Sequence, residues 1–256
     1  PAVARNAGIC MAGGEFIAFC DHDELWYPTK LAEQLPLFVG NPRVAVVTAD
    51  IEQVGTKTGT WGFTQHGIPS ADFPWLFLGN FMPTPMTVVR RAVLEEMGGF
   101  SESEELIICE DYELWLRIAL RYEITWVPRV LGLRRNHGAN LSQGTFRNWR
   151  YLHRLFSRLR AELPLTSADR LAMLIHEAYF LAGEFYYWRG SSEASAVRGA
   201  RGLVARLGAL LSRSANRRGG DIRKTKAAEA YVNESRRKWG IESSSNQDAT
   251  GPAQGR

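Results

Sequence analysis

An apolar run, Glu15-Phe16-Ile17-Ala18-Phe19-Cys20, follows a turn at Gly13-Gly14 and breaks off in Asp21-His22-Asp23-Glu24. Nearly continuous hydrophobicity over so few residues predicts a strand covered on both faces in a parallel sheet. Pro28 suits the first turn of a helix in which Leu31, Leu35 and Phe38 share one face, and Gly40-Asn41-Pro42 stops it. Pro36 is an irregularity inside that helix. Val44 to Ala49 is a second buried strand closed by Asp50, so strand, helix and strand read as an α/β unit with a right-handed crossover.

Further along, Thr56 to Phe73 mixes Gly, Thr and aromatics without a period and reads as a long surface loop over a site. Thr87 to Arg90 is a short strand, Arg91 to Met97 a helix stopped by Gly98-Gly99, and Ser101 to Glu105 an acidic loop. Leu114, Trp115 and Ile118 recur on one helical face, which puts Glu110 and Asp111 at that helix's amino end. Glu123 to Leu133 holds two short apolar stretches around Pro128, followed by Arg134-Arg135-Asn136-His137. Beyond them, 149–163, 167–188 and 192–211 are helical in composition, and the Ser, Gln and Gly-rich tail from Ser243 reads as disordered. The expected organisation is an α/β domain over 1–142, a helical region over 143–240 and a tail over 241–256.

Composition narrows the class. With 256 residues, 45% of them hydrophobic and 23% charged, the chain is long enough for a sizeable core. The net charge of +4 is unevenly spread, acidic residues gathering before Glu123 and Arg and Lys dominating from Arg198 to Lys238, and gives no sign of a nucleic-acid partner. Cys10, Cys20 and Cys109 fall in no CxxC or Cys/His spacing, so neither a disulfide framework nor a zinc site is indicated and a reducing cytosol fits. No apolar run approaches the roughly 20 residues of a membrane span. The sequence opens at Pro1 in what reads as the middle of a domain, which suggests a missing amino-terminal segment.

Three places carry chemistry. Asp21 and Asp23, at the carboxyl end of a buried strand where ligands of open α/β sheets bind, can hold a divalent cation that bridges to a diphosphate; the alternative is a pair of turn or helix caps. Glu110 and Asp111 lie at a helix amino terminus, where free backbone N–H groups favour the ionised carboxylate, so Asp111 is either a general base or a cap. His137 follows a strand in a polar segment and is either a ligand completing the coordination at Asp23 or a solvated loop histidine. Trp26 reads as a core or wall aromatic.

Together these residues resemble the family 2 glycosyltransferases. The resemblance runs through Arg5-Asn6-Ala7-Gly8, Gly14 to Trp26 with Pro28 and Lys30, Arg90-Arg91, Gly98-Gly99-Phe100, Glu110 to Arg117, Val127-Pro128, Arg134 to His137, Asn140 and Ser142. It implies a GT-A fold, here lacking the strand-helix units that open the family's domain and carry its base-binding loop, so that the fragment alone is expected to have little activity. It implies an inverting, metal-dependent transfer of a sugar from a nucleotide-sugar donor to a hydroxyl on a glycan or lipid-linked acceptor, in glycan or cell-envelope polysaccharide synthesis. On that resemblance Asp21 and Asp23 form the DxD motif, Asp23 and His137 bind Mn²⁺ or Mg²⁺, Arg5 and Asn6 join the donor site, Asp111 is the catalytic base, and Trp26 and Glu110 line the acceptor side or the site wall. The cluster reads Asp-His-Asp-Glu where the family more often has Asp-Ser-Asp-Asp, Glu24 keeping the charge. An amphipathic basic pattern from Val197 to Arg213 is either a helix packed on its own domain or a peripheral contact with the inner face of a membrane. Two rival classes remain, a sugar nucleotidyltransferase and an inactive glycan-binding scaffold, the latter opposed by the intact Asp21, Asp23 and Asp111.

Overall fold

In the computed structural model, residues 1–66, 73–77, 79–137, 145–188 and 225–238 are described. The helix expected over 192–211, the basic pattern from Val197 to Arg213, Asn140, Ser142 and the tail from Ser243 lie outside them. Helix α1 (Ala2–Met11) leads into β1 (Phe16–Ala18) and, past the acids, β2 (Glu24–Trp26). Helix α2 (Lys30–Gln34) continues as a 3-10 turn over Leu35–Phe38 and delivers β3 (Val44–Gly55), β4 (Gly59–Trp61) and the one-turn helices α3 (Phe63–His66) and α4 (Phe73–Leu76). A 3-10 turn at Thr84–Met86 precedes β5 (Val88–Arg90) and α5 (Arg91–Met97). Then come α6 (Glu110–Ala119), β6 (Glu123–Asn136), α7 (Thr145–Glu162), α8 (Ser167–Trp188) and α9 (Lys226–Lys238).

The strands form one sheet in the order β1-β5-β3-β6-β2, with β4 added to β3. It is mixed: β3 and β6 are parallel, whereas β1 with β5, β5 with β3, β2 with β6 and β4 with β3 are antiparallel. The apolar run at Phe16 therefore makes a strand, but an edge strand paired antiparallel to β5, not the both-faces-covered member of a parallel sheet that the run suggested. The doubly covered strand is β3, buried from Val44 through Ile51. Phe38, Val47, Ala49, Met86 and Leu131 form one apolar cluster, and Ala45, Val46 and Val89 join a larger one with α5, α6 and the later helices.

Pro36 marks the change from α to 3-10 winding, because its ring and missing N–H do not allow the α-helix to continue. The inward face is accordingly Lys30, Gln34 and Phe38, while Leu31 is left exposed, a correction to the face read from the apolar spacing. Pro128 has a comparable effect. Glu123 to Asn136 is one strand, and its register on β3 jumps from Ala49↔Val127 to Asp50↔Val130, leaving Pro128 and Arg129 as a bulge that needs no ladder N–H from proline. The expected loop from Thr56 contains β4 and α3, with Phe63 fully buried. Leu152, Leu155, Phe156 and Leu159 of α7, Ala172 and Met173 of α8, and Ala228, Tyr231 and Val232 of α9 pack into the same core as α6. No helix among the described residues is long and apolar enough to cross a membrane.

Candidate active site

The polar residues predicted to act together converge where β1, β2 and the carboxyl-terminal end of β6 meet the amino end of α6. Register explains half of this. Glu24 pairs with Arg134 across β2 and β6, so the chain just before β2 lies beside the chain just after β6. His137 Nε2 sits 3.2 Å from Asp23 Oδ2, although 114 residues separate them. Glu24 points inward beside Arg134 at 3.3 Å; burial, opposed by Arg134 and reinforced by Asp21 and Asp23, pushes its carboxyl up to about 7.

Arg5 of α1 joins the two acidic groups. One terminal nitrogen donates to Asp21 Oδ1 and the other to Glu110 Oε1, each at 3.0 Å, and the guanidinium also lies over the Phe100 ring. Asn6 turns away from the acids and ties α1 to the loop after α5: its amide donates to Phe100 O and Glu102, and its oxygen accepts from Phe100 N–H. Gly99, at φ 72°, makes room for this contact, since a Cβ there would stand 2.5 Å from Asn6 Oδ1.

Asp111 is held by three donors. Its Oδ1 accepts from Tyr112 N–H at 2.6 Å and from Asn80 Nδ2 at 3.3 Å, and its Oδ2 accepts from the Thr84 hydroxyl at 2.8 Å. Burial pushes the carboxyl up to about 6 and the charge of Glu110 adds to this, while Thr84, Arg5 and the Tyr112 amide pull it down. Asp111 is thus a carboxylate near neutrality that can still take a proton. Trp26 is half-buried beside this region, its indole N–H donating to Pro85 O at 2.8 Å and its ring lying 4.3 Å from the buried Lys30 Nζ. Sequence reasoning missed Asn80 and Thr84, which sit in an irregular stretch that no periodic pattern marks, and gave Arg134 no site role.

A divalent cation fits the Asp23–His137 pair in a specific sense. Two cis ligands of an octahedral ion at about 2.1 Å stand roughly 3 Å apart, close to the separation found here, and Mg²⁺-like ions take their remaining ligands from water and phosphate oxygens. No group of three His, Cys, Asp or Glu residues placed to hold a metal occurs among the described residues, so the protein supplies only part of such a shell.

Residues 1–98 match the family profile of glycosyl transferase family 2. That stretch contains Arg5, Asn6, Asp21, Asp23 and Trp26. An uncharacterized glycosyltransferase of Nostoc sp. is 30% identical over 149 residues, 54% of this chain and 44% of that protein. One of Rickettsia conorii is 31% identical over 137 residues, 51% of this chain and 21% of that protein. The chain thus spans less than half the length of either relative. Among solved structures, S. aureus TarS 1–349 in complex with UDP-GlcNAc superposes with a TM-score of 0.54 at 15% identity, over 91% of this chain and 72% of that one. The fold is the GT-A α/β fold that the resemblance implied. Asp111 and His137 lie beyond the family 2 match and stand on geometry alone.

Proposed function

We propose that the protein transfers a sugar from a nucleoside-diphosphate sugar to an acceptor hydroxyl, with inversion, using Asp111 as the base and Asp21, Asp23 and His137 on the donor side. The observation that carries this reading is the single Arg5 guanidinium that bridges Asp21 and Glu110 at 3.0 Å each, which draws the acid cluster and the start of α6 into one cleft. A catalytic site read as two acidic centres needs that proximity, and turn caps on separate surfaces do not produce it.

Asp23 and His137 would hold Mn²⁺ or Mg²⁺. When bound, the ion neutralises the departing diphosphate as a Lewis acid. Asp21, with a third of its side chain exposed, is free to exchange Arg5 for a donor hydroxyl or the ion. Asp111 takes the proton of the attacking hydroxyl, and Glu110, paired to Arg5, lines the acceptor side with Trp26. The family match and the nucleotide sugar bound to TarS support the donor class.

The test uses the intact protein with a panel of nucleotide sugars and Mn²⁺, followed by thermal shift and by donor consumption. A metal-dependent rise in Tm with one or a few donors, lost in Asp23→Asn, is the expected result. Unchanged binding in Asp23→Asn, or turnover that persists in Asp111→Asn, would sink the reading.

A further inference from the structure

The segment from Asn80 to Thr87 has no regular structure beyond one 3-10 turn, yet side-chain hydrogen bonds hold it in place. Three side chains, one of them its own and two from other elements, each donate a hydrogen bond to one of its carbonyls. Thr87 Oγ1 donates to Pro83 O at 2.9 Å, Trp26 Nε1 to Pro85 O at 2.8 Å, and Gln34 Nε2 to Met86 O at 2.6 Å. Lys30 buttresses Trp26 from below, and Asn80 Oδ1 accepts from Met82 N–H at 3.3 Å. Thr84 is buried at 5% exposure, and its hydroxyl is delivered by this scaffold to Asp111 and to no other described side chain. Side chains from β2 and α2, with the segment's own Thr87, are therefore engaged in fixing a turn whose projecting polar group meets the base.

Occupancy of the carboxylate then becomes informative. Each carboxylate oxygen can accept about two hydrogen bonds. Oδ1 already takes two, from Asn80 and from the Tyr112 amide, while Oδ2 takes one, from Thr84, among the described residues. We infer that Thr84 is a positioning residue for the base: it occupies one side of Asp111 Oδ2 and leaves the other side of that oxygen to receive the acceptor proton. The inference rests on the reading of Asp111 as the base. In the step it serves, the acceptor O–H proton goes to Oδ2 and the acceptor oxygen bonds the anomeric carbon. The bond from that carbon to the diphosphate breaks, with its electron pair on the leaving phosphate oxygen. Asn80 plays the complementary part by saturating Oδ1, which fixes the carboxylate plane.

The charged and titratable groups facing Asp111 are Glu110 and Cys109 on its own helix side and Arg5 from α1; Thr84 and Asn80 are neutral. Removing the Thr84 donor therefore deprives the carboxylate form of a stabilising hydrogen bond without altering the nearby charges. Thr84→Val keeps the volume and loses the hydroxyl, whereas Thr84→Ser keeps the hydroxyl. In the intact protein, Thr84→Val should lower kcat about tenfold, the worth of one hydrogen bond to a charged group, with donor KM unchanged. It should also move the acidic limb of the pH profile upward, and Thr84→Ser should restore both. A second readout needs no turnover: ¹³C-carboxyl NMR, with Asp111 assigned by its absence in Asp111→Asn, should show the Asp111 titration shifted to higher pH in Thr84→Val and back in Thr84→Ser. An Asp111 titration that does not move in Thr84→Val overturns the inference, as does a Thr84→Ser variant as impaired as Thr84→Val. Failure of the base reading itself has a different signature, full activity in Asp111→Asn. Failure of this inference alone leaves Asp111→Asn inactive and Thr84→Val unaffected.

Discussion

The two halves of the candidate site are built on opposite plans. On the donor side, Asp21, Asp23 and His137 keep 34%, 24% and 51% of their side chains exposed, Asp21 paired to Arg5 and Asp23 in contact with His137. On the base side, Glu110 is 6% exposed, and Asp111 is fixed by three donors, two of them from a segment that is itself pinned by side chains of two other elements. The contrast fits the roles proposed for the two sides. A site for a cation and a diphosphate exchanges its ligands at every turnover, so loosely solvated acids serve it; a base acts through one fixed geometry, which a preorganised, water-poor setting supplies. The Arg5 guanidinium stands between them, with one nitrogen on each.

The most direct way to break this comparison is Asp111→Asn. If the base side is the chemical side, kcat falls on the order of 10²- to 10⁴-fold while metal and donor binding are retained. Equal losses in binding and turnover would mean that the two sides are not separable. Next in size is the pH response. Asp111 must be ionised to accept a proton, and its carboxyl sits at about 6, so kcat/KM should fall about tenfold for each pH unit below that value. A profile flat down to pH 4.5 would assign the proton transfer to another group. On the open side, His137→Ala removes one of two protein ligands and should weaken Mn²⁺ affinity roughly 10- to 100-fold, measured by titration calorimetry with the donor nucleotide present. The same substitution should leave the pH limb where it was, and a shifted limb would count against separate roles.

The donor side was the more legible in sequence, and the reason is chemical. Asp21 and Asp23 follow an apolar run directly, and a strand that ends in acid is a local signal that survives whatever the strand pairs with. Strand direction has no such local signature. The edge position of β1 depends on β5, seventy residues later, and nothing in Phe16 to Ala18 encodes an antiparallel partner. Helix α6 was readable from Leu114, Trp115 and Ile118, and Gly98 stops α5 in the left-handed conformation expected of a glycine there. Leu31 misled because helical spacing counts apolar residues, whereas the inward face of α2 uses Lys30 on Trp26 and Gln34 on two carbonyls. Thr84 and Asn80 were invisible for a related reason: their importance comes from a carboxylate about 30 positions away, and a Thr or Asn in an irregular stretch has the same appearance whether or not it faces one.

The smallest predicted effect is also the sharpest test of the preorganised side, because it reverses the usual sign of a mutation. The folded carboxyl of Asp111 is raised from 3.8 to about 6, so folding favours its protonated form. That stabilising preference is fully present below the unfolded value and is lost as pH rises through about 6, after which burying the charged base costs stability. Asp111→Asn stays neutral at all pH values and keeps one acceptor oxygen, enough for either Thr84 or the Tyr112 amide. It should therefore match the wild type near pH 4 and exceed it at pH 8 by on the order of 1–3 kcal/mol, a rise of a few degrees in Tm. Thermal unfolding of both proteins across that range reads the difference directly. If the variant is less stable at pH 8, the three hydrogen bonds outweigh the burial of the charge, and Asp111 is better understood as a helix cap than as a base held ready at a cost to the fold.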